Sequence, residues 1–419
     1  MRVKKMTSAA LVFLMLPLLI SRGLPEPESS VAPMETAERE ALYVVIQDLI
    51  GEWWNGSELY PDPCGWTQIQ TTIPSSNWEK LAGSLENLEF RSNQGLFGEI
   101  PPNLGQLSNL QSLVLVENSL SGGLPGELGR LVHLKRLMLA GNRFSGRIPA
   151  SLCDNLRELL ILDVSRNSLA ESLPSSIGSL SSLLKLDLSS NHLHGNLPRE
   201  LGNLKQLTLL DLRNNNLSGG LPKSLPGMES LHDLLLAHNP WGGSLLEFGW
   251  ESLRNLTTLD LCHAGLTGTI PEAIASLNSL RYLALDHNNL SGSVSSKFAA
   301  LPSLSAFYLN GNNLTGKLEF PAELYRRMGR RFAAWGNPKL CYDSTGSIVL
   351  FGVAQCKQEQ EAVTRNYDWN SNTKVDDANA DEKSVLLASF WIPAASVSSI
   401  WWGIVVQEVA VMFLLVVFW

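Results

Sequence analysis

One short pattern recurs along this chain at intervals of 24 or 25 residues. It has the form L-x-L-x-x-N, in which another large apolar residue can stand for either leucine. The position of the asparagine is filled in turn by Asn93, Asn118, Asn142, Asn167, Asn191, Asn215, Asn239, Ala264, Asn288 and Asn312. A unit of this length cannot bury its apolar face alone, so consecutive units must stack into a solenoid.

Each unit predicts a strand followed by a turn and a short helical segment. Leu186 and Leu188 alternate with Asp187, which is the pattern of a strand with leucines inward and the aspartate outward. Asn191 follows, and its amide can satisfy backbone groups that the turn leaves unpaired. Pro198 then precedes a helical turn. The sequence therefore predicts an α/β solenoid of about ten units with a parallel sheet on its concave face.

A second motif, L-x-G-x-[IL]-P, lies between the strands and the helical segments. It occurs at 96–101, 120–125, 144–149 and 266–271, with Phe144 in place of the first leucine in one copy. With this motif the chain resembles the plant-specific class of leucine-rich repeats, found in receptor kinases, receptor-like proteins and inhibitors of fungal cell-wall hydrolases. The resemblance implies a second short sheet, a cap at each end, and a disulfide between Cys341 and Cys356.

Composition and motifs divide the rest of the chain. Basic residues precede a short apolar run at 11–20, which is typical of a signal peptide, and the end of the chain is again apolar. The apolar tail favours a lipid-anchor signal; a transmembrane or peripheral association and a tail without a membrane role are the alternatives. The predicted segments are a signal peptide at 1–23, an N-terminal cap at 36–80, repeats at 81–325, a C-terminal cap at 326–357, a polar linker at 358–385 and an apolar tail at 386–419.

The N-terminal cap lacks a segment that the resemblance leads us to expect. In the resembled class, the motif DPCGW leads through a strand to a second cysteine, but here Gln70 runs directly into Thr71 and an I-P pair. Cys64 would then be half of a disulfide, left by a skipped exon or an altered gene model. The alternative is a working cap with a free or intermolecular thiol.

The sequence contains no motif for catalysis, cofactor binding or nucleic-acid binding. Its formal net charge of −8 argues against binding nucleic acid. We find no hydrolase, metalloprotease, phosphate-loop or kinase motif, so the chain is predicted to be neither an enzyme nor the carrier of a cofactor.

Candidate binding residues lie on the predicted concave face. Asp163, Asp187 and Asp211 occupy one position in successive units, and Asp260 recurs there; Lys185, Arg166 and Arg213 offer these carboxylates structural ion pairs. His238, His263 and His287 fill the position before the asparagine in three further units. They are either solvated variable positions or a ligand-contacting patch that is sensitive to pH. A shared metal ion is disfavoured because the outer two would stand about 10 Å apart. Residues considered as ligand contacts are His238, His263, His287, Tyr282, Tyr308, Asp187 and Asp211.

Five sequons predict glycosylation at Asn55, Asn216, Asn255, Asn289 and Asn313. Those at Asn289 and Asn313 are expected in the turn just after the strand, away from the centre of the concave face. Sequons, a signal peptide and an apolar tail together predict the secretory pathway and the outer face of the plasma membrane, with the apoplast as the alternative.

We therefore expect a cell-surface receptor-like protein that binds an extracellular peptide, protein or glycan and signals through a membrane receptor kinase. The resemblance implies a role in perceiving a root-associated microbe. A secreted inhibitor of microbial wall hydrolases is the main alternative, and a scaffold without its own ligand is a third.

Overall fold

The structure is a computed structural model whose described part covers the repeats and most of the C-terminal cap. It describes residues 71–75, 78–343 and 349–356, with short pieces at 10–13, 40 and 44–45. The chain divides into two units, Met1–Gln358 and Glu359–Trp419, and the second lies outside the described residues. In the part of the chain that is described, no helix has the length and apolarity needed to cross a bilayer.

The main sheet is parallel throughout, and its strands follow one another in chain order. Each repeat contributes one strand, as the L-x-L-x-x-N pattern predicts. Numbered in chain order, its described strands are β1 (Ala10–Phe13), β3 (Asn87–Arg91), β5 (Ser112–Val116), β7 (Arg136–Met138), β9 (Ile161–Asp163), β11 (Lys185–Asp187), β13 (Leu209–Asp211), β15 (Asp233–Leu235), β16 (Thr258–Asp260), β18 (Tyr282–Ala284), β20 (Ala306–Tyr308) and β22 (Phe332–Ala333).

The expected second sheet forms beside the first, but it is divided into three pieces. Pro240 gives a reason for one interruption: it stands where Asn216 and Asn289 begin strands, and proline has no N–H to donate. The pieces are β2 (Thr71–Thr72), β4 (Leu96–Gly98), β6 (Ser119–Gly123), β8 (Arg143–Gly146) and β10 (Ser168–Leu169); β12 (His194–Gly195) and β14 (Asn216–Leu217); and β17 (Thr267–Thr269), β19 (Asn289–Gly292), β21 (Asn313–Leu318), β23 (Lys339–Tyr342) and β24 (Ala354–Gln355).

Short helices form the opposite side of each repeat, and several begin directly after the proline of the second motif. Pro125, for example, caps one of them with φ −69°, the value to which its ring restricts the backbone. Within residues 78–343, two are α-helices, α1 (Ala150–Asn155) and α2 (Ala322–Met328). The described 3₁₀ helices are Trp78–Leu81, Pro102–Gln106, Gly126–Arg130, Ser175–Ser179, Arg199–Asn203, Leu225–Gly227, Trp250–Ser252, Glu272–Ser276, Ser296–Ala300 and Gly329–Arg331.

A ladder of buried asparagines holds successive turns together. The side chain of Asn239, which is 2% exposed, donates from Nδ2 to the carbonyl oxygens of Leu212 at 2.9 Å and Leu236 at 3.2 Å. Its Oδ1 accepts from the backbone N–H of Leu217 at 3.1 Å. Each asparagine therefore pairs polar backbone groups that stacking would otherwise bury without partners, and the leucines fill one continuous core beneath them.

The ladder continues one unit beyond the predicted repeats. Asn337 donates to the carbonyl oxygens of Leu309 at 3.0 Å and Ala334 at 2.9 Å, and accepts from the N–H of Leu314 at 2.9 Å. Residues that the sequence analysis assigned to the C-terminal cap thus complete a repeat. The cap is closed by a disulfide between Cys341 and Cys356, with Cα atoms 4.9 Å apart, which confirms that pairing.

At the N-terminal edge of the main sheet, β1 pairs in parallel with β3, and Ala10 lies opposite Asn87. An edge strand presents unpaired backbone groups that readily accept another strand. These β1 residues belong to the predicted signal peptide, whose cleavage stays a prediction. Cys64 and the junction at Gln70 lie outside the described residues.

Candidate functional site on the concave face

One residue per repeat, immediately before the ladder asparagine or before the Ala264 that replaces it in one repeat, has a left-handed backbone conformation. This position turns the chain out of the main-sheet strand. It is occupied in order by Ser92, Glu117, Gly141, Arg166, Ser190, Asn214, His238, His263, His287, Gly311 and Gly336. For residues other than glycine, the left-handed conformation costs roughly 1–2 kcal/mol, and asparagine tolerates it best. His238, His263 and His287 fill this position in three successive repeats, with φ of 56°, 48° and 53°; histidine, like asparagine, is enriched in this conformation.

The three imidazoles form a stack that we call the histidine ladder, consisting of His238, His263 and His287. Ring centroids lie 4.7 Å apart in the first pair, with planes 17° apart, and 4.4 Å apart in the second, with planes 8° apart. Gly311 makes room for the end of the stack, because a Cβ there would lie 3.1 Å from Cδ2 of His287. Trp335 then meets the His287 ring edge-on, with centroids 6.0 Å apart.

The histidine ladder has few polar partners among the described residues. Nδ1 of His287 lies 2.8 Å from Oδ2 of Asp286, and Nε2 of His238 lies 3.8 Å from the Cys262 sulfur. The pKa of His263 is lowered from its usual value of 6.5, first by burial and then by the flanking imidazoles, while Asp286 acts in the opposite direction. Like charges would accumulate along the stack if all three rings were protonated, so its electrostatics depend on pH.

The rings border a shallow depression of about 440 Å³, lined by His238, Asn239, Pro240, His263, Gly265 and His287. All three imidazoles are exposed. The structure thus brings the three predicted histidines together as one accessible surface. Among the described residues, no cluster of three or more histidine, cysteine, aspartate or glutamate side chains is arranged to hold a metal ion.

The two predicted tyrosines also meet. Tyr282 begins β18 and Tyr308 ends β20, and their ring centroids lie 5.6 Å apart with planes tilted by 52°. Both side chains are half-buried. Burial is the main cause that raises the pKa of each phenol, so both stay protonated and can donate hydrogen bonds.

The aspartate column, consisting of Asp163, Asp187 and Asp211, lies in register across β9, β11 and β13. Lys185 Nζ lies 3.8 Å from an Asp163 oxygen and 3.7 Å from an Asp187 oxygen. Arg213 Nη2 lies 2.6 Å from Asp211 Oδ2. Burial is the first cause that raises the pKa of Asp163 and of Asp211.

The expected ion pairs are therefore present for Lys185 and Arg213 but not for Arg166. The Arg166 guanidinium instead lies 3.1 Å from Glu117, two repeats away. Gly141 lies between them and permits this contact, since its absent side chain leaves the space open. Because the carboxylates of the column already have partners, the geometry supports a structural role for Asp211 more than a role in binding a ligand.

Four of the predicted glycosylation sites are exposed asparagines. Asn216, Asn289 and Asn313 are the first residues of β14, β19 and β21, so the last two begin strands of the second sheet rather than lying in turns. Asn255 is exposed on a different segment, and its Nδ2 donates to the Glu229 carbonyl at 3.0 Å. Asn55 lies outside the described residues.

The sequence did not predict Trp335 and Gly311, which end the histidine ladder. It also did not predict Asn337, the last asparagine of the asparagine ladder, which supports them. A signal was present: Asn337 lies 25 residues after Asn312, in phase with the repeat, within the motif NPKLC. The unit that contains Asn337 was not counted as a repeat because the segment before it lacks the usual leucines.

Residues 85–338 match the family model described as a leucine-rich repeat region. The chain belongs to the leucine-rich repeat family. It is 46% identical over 157 residues to Piriformospora indica-insensitive protein 2 of Arabidopsis thaliana, an alignment that covers 24% of this chain and 37% of that protein.

Solved structures of plant proteins resemble this fold. The Arabidopsis receptor kinase HAESA ectodomain, in complex with an extended IDA peptide hormone, is 31% identical with a TM-score of 0.58, over 66% of this chain and 45% of that one. A plant ice-binding protein is 28% identical with a TM-score of 0.57, over 78% of this chain and 99% of that one. The chain covers less than half of the length of Piriformospora indica-insensitive protein 2 and of HAESA.

Proposed function

We propose that this chain is a cell-surface receptor-like protein that binds an extracellular ligand on its concave face and acts through a partner receptor kinase. The observation that carries the proposal is the histidine ladder: three exposed, stacked imidazoles at adjacent left-handed positions. Because every repeat has a left-handed residue at this position, the support comes from the exposure and stacking of the rings rather than from the backbone conformation.

The ladder has the composition of a contact surface. Flat aromatic faces and edges lie beside the half-buried hydroxyls of Tyr282 and Tyr308, and Trp335 closes the row. Aromatic residues of this kind are enriched where proteins bind partners. A peptide or glycan laid along the sheet would meet stacked rings over three repeats, with the carboxylate of Asp286 beside the last ring.

The proposed partners follow from the resemblance and from the solved relatives. One HAESA structure contains both the peptide hormone IDA and the co-receptor SERK1. By analogy we propose an extracellular peptide, protein or glycan as ligand and a membrane receptor kinase as the signalling partner. The chain itself offers no catalytic motif, and we propose that it has no enzymatic activity and needs no cofactor.

We further propose a role in the response to a root-associated microbe, since the name of the 46% identical relative refers to Piriformospora indica. The proposed location is the outer face of the plasma membrane, with the signal peptide removed and the apolar tail as the lipid-anchored or tail-associated attachment. Glycans on Asn216, Asn289 and Asn313 would lie along the second sheet and leave the histidine ladder open.

The binding proposal can be tested with the full-length chain purified from plant membranes. The probe is Piriformospora indica culture filtrate, divided into peptide, protein and glycan fractions, at about pH 5.5 and about pH 7.5. The test variant is H238N/H263N/H287N, because Asn214 shows that asparagine occupies the same left-handed position in this chain. We expect at least one fraction to bind the wild type and to lose affinity for the variant. Equal binding of every fraction to both proteins at both pH values would contradict the proposal.

Cell fractionation separates the receptor from the alternative, a secreted inhibitor of microbial wall hydrolases. We expect the protein in membranes, released by phospholipase or by detergent. Recovery wholly in the wall wash, together with inhibition of a fungal wall hydrolase, would favour the inhibitor instead.

A further inference from the structure

A groove lies at the C-terminal end of the described repeats, between α2 and residues 349–353. Its volume is about 520 Å³. We call it the C-terminal groove; the lining residues on which the argument depends are Tyr325, Arg326, Arg330, Phe332, Leu350 and Phe351. The groove combines an aromatic wall with a basic rim, in a protein whose net charge is −8.

The basic rim belongs to an arginine cluster, Arg326, Arg327, Arg330 and Arg331, within six consecutive residues. All four side chains are exposed. Only Arg326 has a carboxylate of the described residues within 4.0 Å, that of Glu323 at 3.3 Å, and both partners are well exposed. An exposed ion pair of this kind contributes little, so the cluster keeps most of its positive potential for an external partner.

Large apolar side chains stand exposed beside the arginines. Phe351 is 86% exposed and Val349 is 82% exposed, although neighbouring Leu350 and Val353 pack against the core. The disulfide Cys341–Cys356 ties this segment to the last repeat, and β24 pairs with β23. The exposed apolar side chains are therefore held on a fixed support, as in a preformed binding surface.

Tyr325 contributes its ring to the aromatic wall of the groove. The ring centroid lies 5.2 Å from that of Phe332 and 6.1 Å from that of Phe320. The hydroxyl is inaccessible to water and makes no hydrogen bond with any described residue, so a ligand in the groove would contact the ring rather than the oxygen. The wall therefore presents flat apolar surface to a bound side chain.

We propose that the C-terminal groove docks an acidic segment of a partner protein that carries a bulky apolar side chain. The apolar side chain packs against the rings of Tyr325, Phe332 and Phe351, and carboxylates pair with Arg326 and Arg330. Tyrosine and arginine are among the residues that most often dominate binding energy in protein interfaces. This surface does not rest on the role proposed for the histidine ladder.

A protein segment fits the groove better than an anionic membrane does. A lipid surface contacts protruding basic and apolar side chains, whereas the aromatic wall formed by Tyr325 and Phe332 lies within a concavity. Only a ligand that inserts a shaped group can fill it. Trp335 also lines the groove but contacts the histidine ladder, so it is left unchanged in the test below.

The test uses the full-length chain and a fluorescently labelled peptide in which one phenylalanine is flanked on each side by two glutamates. Binding is measured by anisotropy for the wild type, for R326E/R330E and for R157E/R199E, which makes the same change of charge at exposed arginines elsewhere. We expect affinity to fall about tenfold or more in R326E/R330E and less than about twofold in the control. Equal losses in both variants, or no binding to the wild type, would overturn the proposal.

Two further measurements fix what the groove binds. F351A should weaken peptide binding severalfold without lowering the melting temperature, because Phe351 is 86% exposed and contributes to the wall of the groove rather than to the core; unchanged affinity would contradict the proposed contact. Vesicles that contain phosphatidylserine should not bind through this surface. Vesicle binding that is lost in R326E/R330E, without peptide binding, would overturn the proposal in favour of a membrane contact.

Discussion

Two columns of like side chains run across successive repeats on the same face of the main sheet. In the aspartate column, each carboxylate ends a strand; Asp163 and Asp211 are buried, and basic side chains lie beside them. In the histidine ladder, each ring follows its strand at a left-handed residue, is exposed, and stacks on the next ring. Both columns repeat with the same period, yet their surroundings differ.

This difference shows that recurrence alone does not identify a binding surface in a repeat protein. A position within the strand places its side chain among neighbours from the flanking units, so like charges there need counter-charges and hydrogen bonds. The hydroxyl of Ser165, for instance, donates to Asp163 at 2.7 Å. A position after the strand projects to solvent, and its side chain is available to a ligand.

The largest expected effect is on stability, in D211A. Removing this carboxylate leaves the guanidinium of Arg213 mostly buried without its main partner, which should lower the free energy of unfolding by about 2–3 kcal/mol. H263N should change it by less than about 0.5 kcal/mol, because the ring is exposed and asparagine tolerates the left-handed conformation. Urea unfolding of the two variants measures both values, and equal losses would remove the distinction between the columns.

Ligand affinity should show the reverse order. For a culture-filtrate fraction that binds the wild type, H238N/H263N/H287N should reduce affinity about tenfold or more, and D187N less than about twofold. Asp187 is a stringent control, since the sequence analysis considered it a ligand contact and its side chain is 15% exposed. A larger loss in D187N than in the histidine variant would assign ligand binding to the aspartate column.

The pH dependence of stability should have opposite signs at His263 and at Asp260, which occupies the strand position of the aspartate column in a later repeat. The lowered pKa of His263 means that the unfolded chain binds its proton more readily, so stability falls as pH drops below 6.5. Burial raises the pKa of Asp260 above 3.8, so its contribution is greatest below that pH and is lost as pH rises through the raised value. Thermal unfolding across this range should lose the first dependence in H263N and the second in D260N. Retention of both in the respective variants would show that other groups titrate.

The sequence was sufficient to predict the strands, the ladder asparagines and the alignment of both columns, because each follows from a fixed period. It also suggested that Lys185 and Arg213 would pair with the aspartates, since they lie within the same strands or directly after them. The partner of Arg166 was mispredicted because Glu117 lies 49 residues away and reaches it across Gly141. Contacts that span two units depend on which side chain is missing between them.

The end of the histidine ladder could not be predicted from the sequence pattern either. Trp335 contacts His287 because Gly311 supplies no side chain to separate them, and neither residue is distinctive in a sequence of this composition. The C-terminal groove depends on a disulfide-tied segment without a repeat period. Such features require the three-dimensional positions of residues from different units.

The coupling of the three rings can be measured through the imidazole pKa of His263, followed by NMR in the wild type and in H238N/H287N. We predict a pKa below 6.5 in the wild type and a clear rise in the variant, because both flanking rings lower it and Asp286 remains beside it. A pKa that does not change when both neighbouring imidazoles are removed would show that the three histidines are not electrostatically coupled.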